Sequence, residues 1–160
     1  MPPLPLLVVL QNELAELQAF VALLEREQRA LVANTLADLV EFAKEKAARA
    51  QTLEALAKER KRLFEVNGVE LSPDPPHPLT GARQLPAEHL PTLAALWQEL
   101  IQSARQASAL NLTNGRLIDT RQQQNQQLMS MLQATHTTSL SYDAYGQPRM
   151  SRPGSSLGKA

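Results

Sequence analysis

The sequence predicts an all-α protein: an antiparallel three-helix bundle or coiled coil with a long third helix and a disordered C-terminal tail. Three observations lead there. The 11 prolines fall within residues 2–5, 73–91 and 148–153, leaving residues 6–72 and 92–147 free of them. Proline removes a backbone donor and clashes one turn back, so the two proline-free blocks are where long helices can form. In both blocks apolar residues recur at alternating steps of three and four, the helical period. There are only three Phe, two Tyr and one Trp, so the core must be aliphatic.

The first block opens with Leu7, Leu10, Leu14, Leu17, Val21, Leu24, Gln28 and Leu31. Their mean spacing of 3.5 residues places them on one helical stripe and favours coiled-coil-like packing. A helix over about residues 5–33 follows, roughly 40 Å long. Glu13, Glu16, Glu25, Arg26, Glu27 and Arg29 fall off the stripe and are expected to face water.

Asn34 and Thr35 interrupt the pattern, by a tight turn or a kink. Thr35 and Asp38 have the spacing of a capping box, as do Asp38 and Glu41. A second helix is therefore expected over about 35–66. Its stripe reads Leu36, Leu39/Val40, Ala43, Ala47, Ala50, Leu53, Leu56/Ala57 and Leu63/Phe64. Gly68 suits the left-handed position that ends a helix. Lys58, Arg60, Lys61 and Arg62 lie just before it and read best as complements to the helix dipole.

Residues 67–91 form a Pro-rich, semi-rigid linker. The third helix is expected over about 87–133 and would reach roughly 60 Å over forty residues. Its stripe is Leu93, Trp97, Leu100, Ala104, Ala107, Asn111, Asn114, Ile118, Arg121, Asn125, Leu128 and Leu132. Buried polar residues in such a seam cost stability and often fix register. The greater length suggests an overhang that leaves Leu128, Met129, Met131 and Leu132 under-covered. The competing expectation is that these side chains pack on residues 4–9. Exposed Met and Leu make an adaptable surface for a partner. Gln122, Gln123, Gln124, Gln126 and Gln127 add either a solvated face or a hydrogen-bonding one. Residues 134–160 are Thr/Ser/Gly/Pro-rich and expected to be a flexible, partner-binding tail. Both tyrosines, Tyr142 and Tyr145, lie there.

Composition excludes several functions. With no cysteine there is no disulfide framework and no thiol chemistry. Sixteen basic and sixteen acidic residues cancel, so no strong field draws nucleic acid or anionic lipid. Residues 4–10 are apolar but lack a basic flank and a cleavage site, and that run is too short to span a bilayer; a cytoplasmic protein is expected. His77, His89 and His136 lack helix-spaced ligand partners, and Glu13/Glu16 and Glu41/Glu45 lack the His of a di-metal bundle. There is no phosphate loop and no nucleophile elbow. The expectation is a binding protein with no catalytic residues, no metal and no cofactor. Its simplest version is a structural coiled coil that self-associates through the Leu7 to Leu31 seam.

The stretch NLTNGRLIDTRQQQNQQLMSML, residues 111–132, resembles the signature of the FlgN family of flagellar export chaperones. The matching positions are Asn111, Asn114, Gly115, Leu117, Ile118, Asn125 and Leu132. The tail sequence SYDAYGQ, residues 141–147, is similar to the family's Tyr-Gly-x-x-Gly element, with Asp143 in place of its first glycine and Tyr145 at a usually small or polar position. Residues 25–31 and Lys46 fit the family's first half. The resemblance implies a small helical cytoplasmic chaperone. It would bind the C-terminal helices of hook-associated proteins at the hook–filament junction, stop them assembling early and deliver them to the export gate. The third helix and tail would hold the client, through Asn111, Asn114, Gly115, Leu117, Ile118, Asn125, Leu128, Met129, Met131, Leu132, Tyr142, Tyr145 and Gly146. Tyr142 would also help docking on the cytoplasmic domain of the gate. Neither nucleic acid nor membrane insertion is implied.

Overall fold

The computed structural model describes the backbone of residues 4–71, 79–80 and 85–140, and the side chains of residues 4–69 and 85–135. Among these, three long helices carry the fold: α1 (Pro5–Val32), α2 (Leu39–Val66) and α3 (Leu90–Leu140). Single turns of 3₁₀ helix, Leu36–Asp38 and Ala87–His89, lead into α2 and α3. The protein is all-α, as expected. The linker adds one feature not read from sequence, a two-residue antiparallel ladder of β1 (Glu70–Leu71) on β2 (Leu79–Thr80). Contacts divide the chain into two compact units, Met1–Gly115 and Arg116–Ala160.

Pro5 sits in the first turn of α1, where its missing donor costs nothing, and Leu4 before it is extended (ψ 125°). All seven apolar seam positions of α1, from Leu7 to Leu31, are buried. The helix is long and apolar enough, by length and composition, to cross a membrane, with a mean hydropathy of 1.4 over its best 18-residue window. Judging residues 4–10 alone understated this. The seam on α1 is instead the spine of the core cluster, meeting Leu63, Phe64, Leu93, Trp97, Leu100 and Ala107.

α1 and α2 form an antiparallel hairpin of two separate helices. α1 ends in a Schellman turn: Thr35 N–H donates to Ala30 O (2.9 Å), Asn34 N–H to Leu31 O (3.2 Å), and Asn34 takes φ 59°. The expected capping boxes do not form. The Thr35 hydroxyl donates backwards to Ala30 O (3.2 Å), and neither Thr35 nor Asp38 caps with its side chain. The hydroxyl is consumed closing α1, and the 3₁₀ turn leads into α2 in place of a cap. α2 closes as expected, with Gly68 at φ 64° and Val69 N–H donating to Phe64 O (2.9 Å).

Two expectations about which faces are buried need correction. On α2 the alanine stripe lies outside: Ala43, Ala47 and Ala50 are exposed. Phe42, Leu63 and Phe64 are buried instead, with Lys46, Arg49, Leu53, Leu56 and Arg60 half-buried between them. The reason is on α1. Helices cover it on two sides, so its buried arc is wider than one stripe and takes in Glu13 (5% exposed) and Glu27 (2%). Those carboxylates need cationic partners, and α2 turns its long basic side chains inward to supply them. Arg60 Nε donates to Glu13 Oε2 at 2.7 Å, Arg49 Nη1 to Glu16 Oε1 at 3.0 Å, and Lys46 Nζ lies 3.1 Å from Glu27 Oε2. Their alkyl stems cover apolar surface while the charged ends reach α1. Arg60 is therefore not merely a dipole complement. Its guanidinium also lies over Phe64 and Trp97, 5.8 and 5.2 Å from the ring centroids, and those rings meet edge to face at 5.5 Å.

α3 continues to Leu140, past the end expected near Gln133. Residues 134–140 contain no proline or glycine, and a threonine hydroxyl can bond within the helix, as Thr135 does to Met131 O (2.9 Å).

Two measurements test these assignments. Gly68→Val places a β-branched residue at positive φ and should lower unfolding stability by about 1–2 kcal/mol, read as a reduced urea midpoint at unchanged m-value. Arg60→Ala leaves Glu13 buried without its partner and should cost about 3 kcal/mol, whereas Glu13→Leu/Arg60→Met should recover most of it.

Candidate partner-binding face

The residues singled out on α3 fall into two sets. Asn114 is fully buried, in the first unit. Its amide nitrogen donates to Leu24 O at 2.8 Å and to Glu27 Oε1 at 2.9 Å. Asn111 is exposed, so the seam runs through Ala107 and Asn114 without it; Ala104 is exposed as well. Gly115 is half-buried, and a Cβ added there would meet nothing within 4 Å. No crowding within the described residues requires a glycine at that place.

The second unit starts at Arg116. Leu117 and Ile118 are half-buried, and Asn125 is exposed. Leu128 (55%), Met129 (55%), Met131 (66%) and Leu132 (55%) are large apolar side chains left open. At about 100° per residue, Leu117, Ile118, Leu128, Met129, Met131 and Leu132 share one side of α3, with Arg121 and Asn125 within it. Gln122, Gln123, Gln126 and Gln127 fall towards the other side. The result is an amphipathic helix whose apolar face is unusually exposed, since a soluble helix normally turns that face to a core. Arg121 Nη1 donates to Gln124 Oε1 at 3.2 Å, a polar contact within that same face. Tyr142, Tyr145 and Gly146 lie outside the described residues.

Nothing here resembles a reaction centre. No group of three or more His, Asp or Glu that could hold a metal occurs among the described residues. The one carboxyl perturbation resolved among the described residues is on α2: hydrogen bonds from Arg62 at 2.6 and 2.9 Å hold the Glu59 carboxyl below its usual range. That pair lies at the surface and is an ordinary helix-surface contact.

What the arrangement can do is offer an apolar helical face to another helix. The family model described as "FlgN protein" matches residues 5–150. The chain belongs to the FlgN family. Comparison with curated proteins and with solved structures gives no match. As a FlgN-family protein it is a flagellar export chaperone, and the family binds hook-associated proteins of the flagellum. FlgN proteins are chaperones, not enzymes.

Sequence reasoning missed Glu13–Arg60 and Glu27–Lys46 as ion pairs between α1 and α2. The available signal was the fourteen-residue interval between the two glutamates, two heptads, which places both on one edge of the α1 seam. Substitution on the open face should leave the fold intact. Leu128→Asp is expected to change unfolding stability by less than about 0.5 kcal/mol, because the side chain is already in water. Gly115→Ala should raise stability by about 0.5–1 kcal/mol, since nothing obstructs the added methyl and alanine is the better helix former. Chemical denaturation checks both.

Proposed function

We propose that this FlgN-family protein is a cytoplasmic chaperone that holds the C-terminal helices of hook-associated proteins against α3. It keeps them from assembling early and hands them to the cytoplasmic domain of the flagellar export gate. The observation that carries this reading is the open face of Leu128, Met129, Met131 and Leu132 on a helix whose other side is glutamine-rich. A client helix that is amphipathic until buried in the filament needs such a cover, and helix-in-groove packing provides it. Unbranched methionines adjust to more than one client surface. In this reading the tail, with Tyr142, Tyr145 and Gly146, adds contacts to client and gate and loses conformational freedom on binding. That loss limits affinity and favours release.

The alternative, self-association through the Leu7 to Leu31 seam, finds less support. That seam is already buried inside the chain. A second copy would have to displace α2 and α3 to reach it.

The experiment is a binding titration with purified hook-associated protein. A stoichiometric complex is expected. Leu128→Asp/Leu132→Asp and truncation after Gln133 should each weaken it at least tenfold at unchanged fold stability. Undiminished affinity in both variants would place the client elsewhere.

A further inference from the structure

Leu93, Leu100, Ala107 and Asn114 stand seven residues apart on α3, and all four are buried. They pack on a helix whose buried positions also repeat every seven: Leu7, Leu14 and Val21 in one line, Leu10, Leu17, Leu24 and Leu31 in another. Such surfaces have a degeneracy. Sliding α3 along α1 by one heptad, about 10 Å, returns aliphatic side chains to aliphatic positions. Burial of apolar area is non-directional and discriminates weakly between these registers.

Asn114 breaks the degeneracy. It is 0% exposed, and its amide group spends its donor on the Leu24 carbonyl and the Glu27 carboxylate. Glu27 is itself 2% exposed and held from the other side by Lys46. Three helices thus meet at one carboxylate. A slip of seven residues towards the start of α1 would set the amide against Leu17 and Phe20, where the carboxylate is replaced by a phenyl ring. A slip the other way would carry it to Leu31 and Asn34, where α1 has ended. In either case Asn114 would lose its carboxylate acceptor; opposite Glu27 the first slip would bring Arg121 and the second Ala107. The arrangement is not optimised for stability: Asn114 Oδ1 is buried without a hydrogen-bond partner. A polar group that leaves half its capacity unused in the core, while bridging to two acceptors on a neighbouring helix, serves position more than energy.

We infer that Asn114, through Glu27 and Lys46, is a positioning residue that fixes the register of α3 on α1. The conclusion concerns the chaperone alone and holds whether or not α3 carries the client.

Distance measurement between spin labels tests it directly. The chain has no cysteine, so labels can be placed uniquely at Gln18→Cys on α1 and Gln106→Cys on α3, both exposed and both within the first unit. The otherwise unaltered protein should give one distance. Asn114→Leu, which removes the unpaired oxygen and adds apolar volume, should keep the helical signal and the thermal midpoint. It should also show a second distance population from a displacement of about 10 Å along the helix. Glu27→Leu should split the distribution likewise, while Glu27→Gln, which keeps an acceptor for the amide, should not. A single native distance in folded Asn114→Leu overturns the inference. If that variant does not fold, a single native distance in Glu27→Leu does so in its place.

Discussion

The interior of this protein depends on burying one helix from two sides. α1 presents Leu6, Leu10, Leu24 and Leu31 with no measurable exposure, and α2 and the first part of α3 close over it. Each such leucine contributes about 1.5–3 kcal/mol relative to an exposed one. Two-sided cover also has a cost. The buried arc of α1 becomes too wide for a purely apolar stripe, and Glu13 and Glu27 go in with the leucines. Everything distinctive in α2 follows: Arg60, Arg49 and Lys46 turn inward because carboxylates wait for them. Ion pairs in such places roughly break even against apolar residues of the same size. Their effect lies in which arrangement is allowed, since an unpaired partner would be far more costly.

The spacing of the seam made α1 legible in sequence to within a residue at each end, and Gly68 announced the end of α2. The face of α2 was not legible. Reading apolar residues as buried favours Ala43, Ala47 and Ala50, yet small methyls lose little in water, while Lys46 gains a buried acceptor in Glu27 and Arg49 a half-buried one in Glu16. That choice depends on α1, in direct contact in space but 19 to 47 residues away in sequence. The missing cap at Thr35 has a similar cause: one hydroxyl had two possible uses, and the local sequence does not rank them. The end of α3 was placed too early because threonine and serine discourage helix only mildly, and no glycine or proline enforces a stop before residue 141.

The motif shared with the family reads differently once its residues have surroundings. Asn111, Asn114 and Gly115 are neighbours in sequence but not in circumstance: one in water, one in the core, one beside open space. A signature of this kind records several physical demands at once. The demand on Asn114 is internal, met by Leu24 and Glu27. Further along α3, Leu128, Met129, Met131 and Leu132 are left exposed.

Trp97 is the only tryptophan, and it is set where α2 ends and α3 begins, under the Arg60 guanidinium and edge-on to Phe64. Nature has in effect placed a single fluorophore at one end of the first unit. Its emission will follow the opening of that end, where a charged group and a ring leave it together. A change in that emission would therefore report on the Phe64 and Arg60 side of the first unit alone.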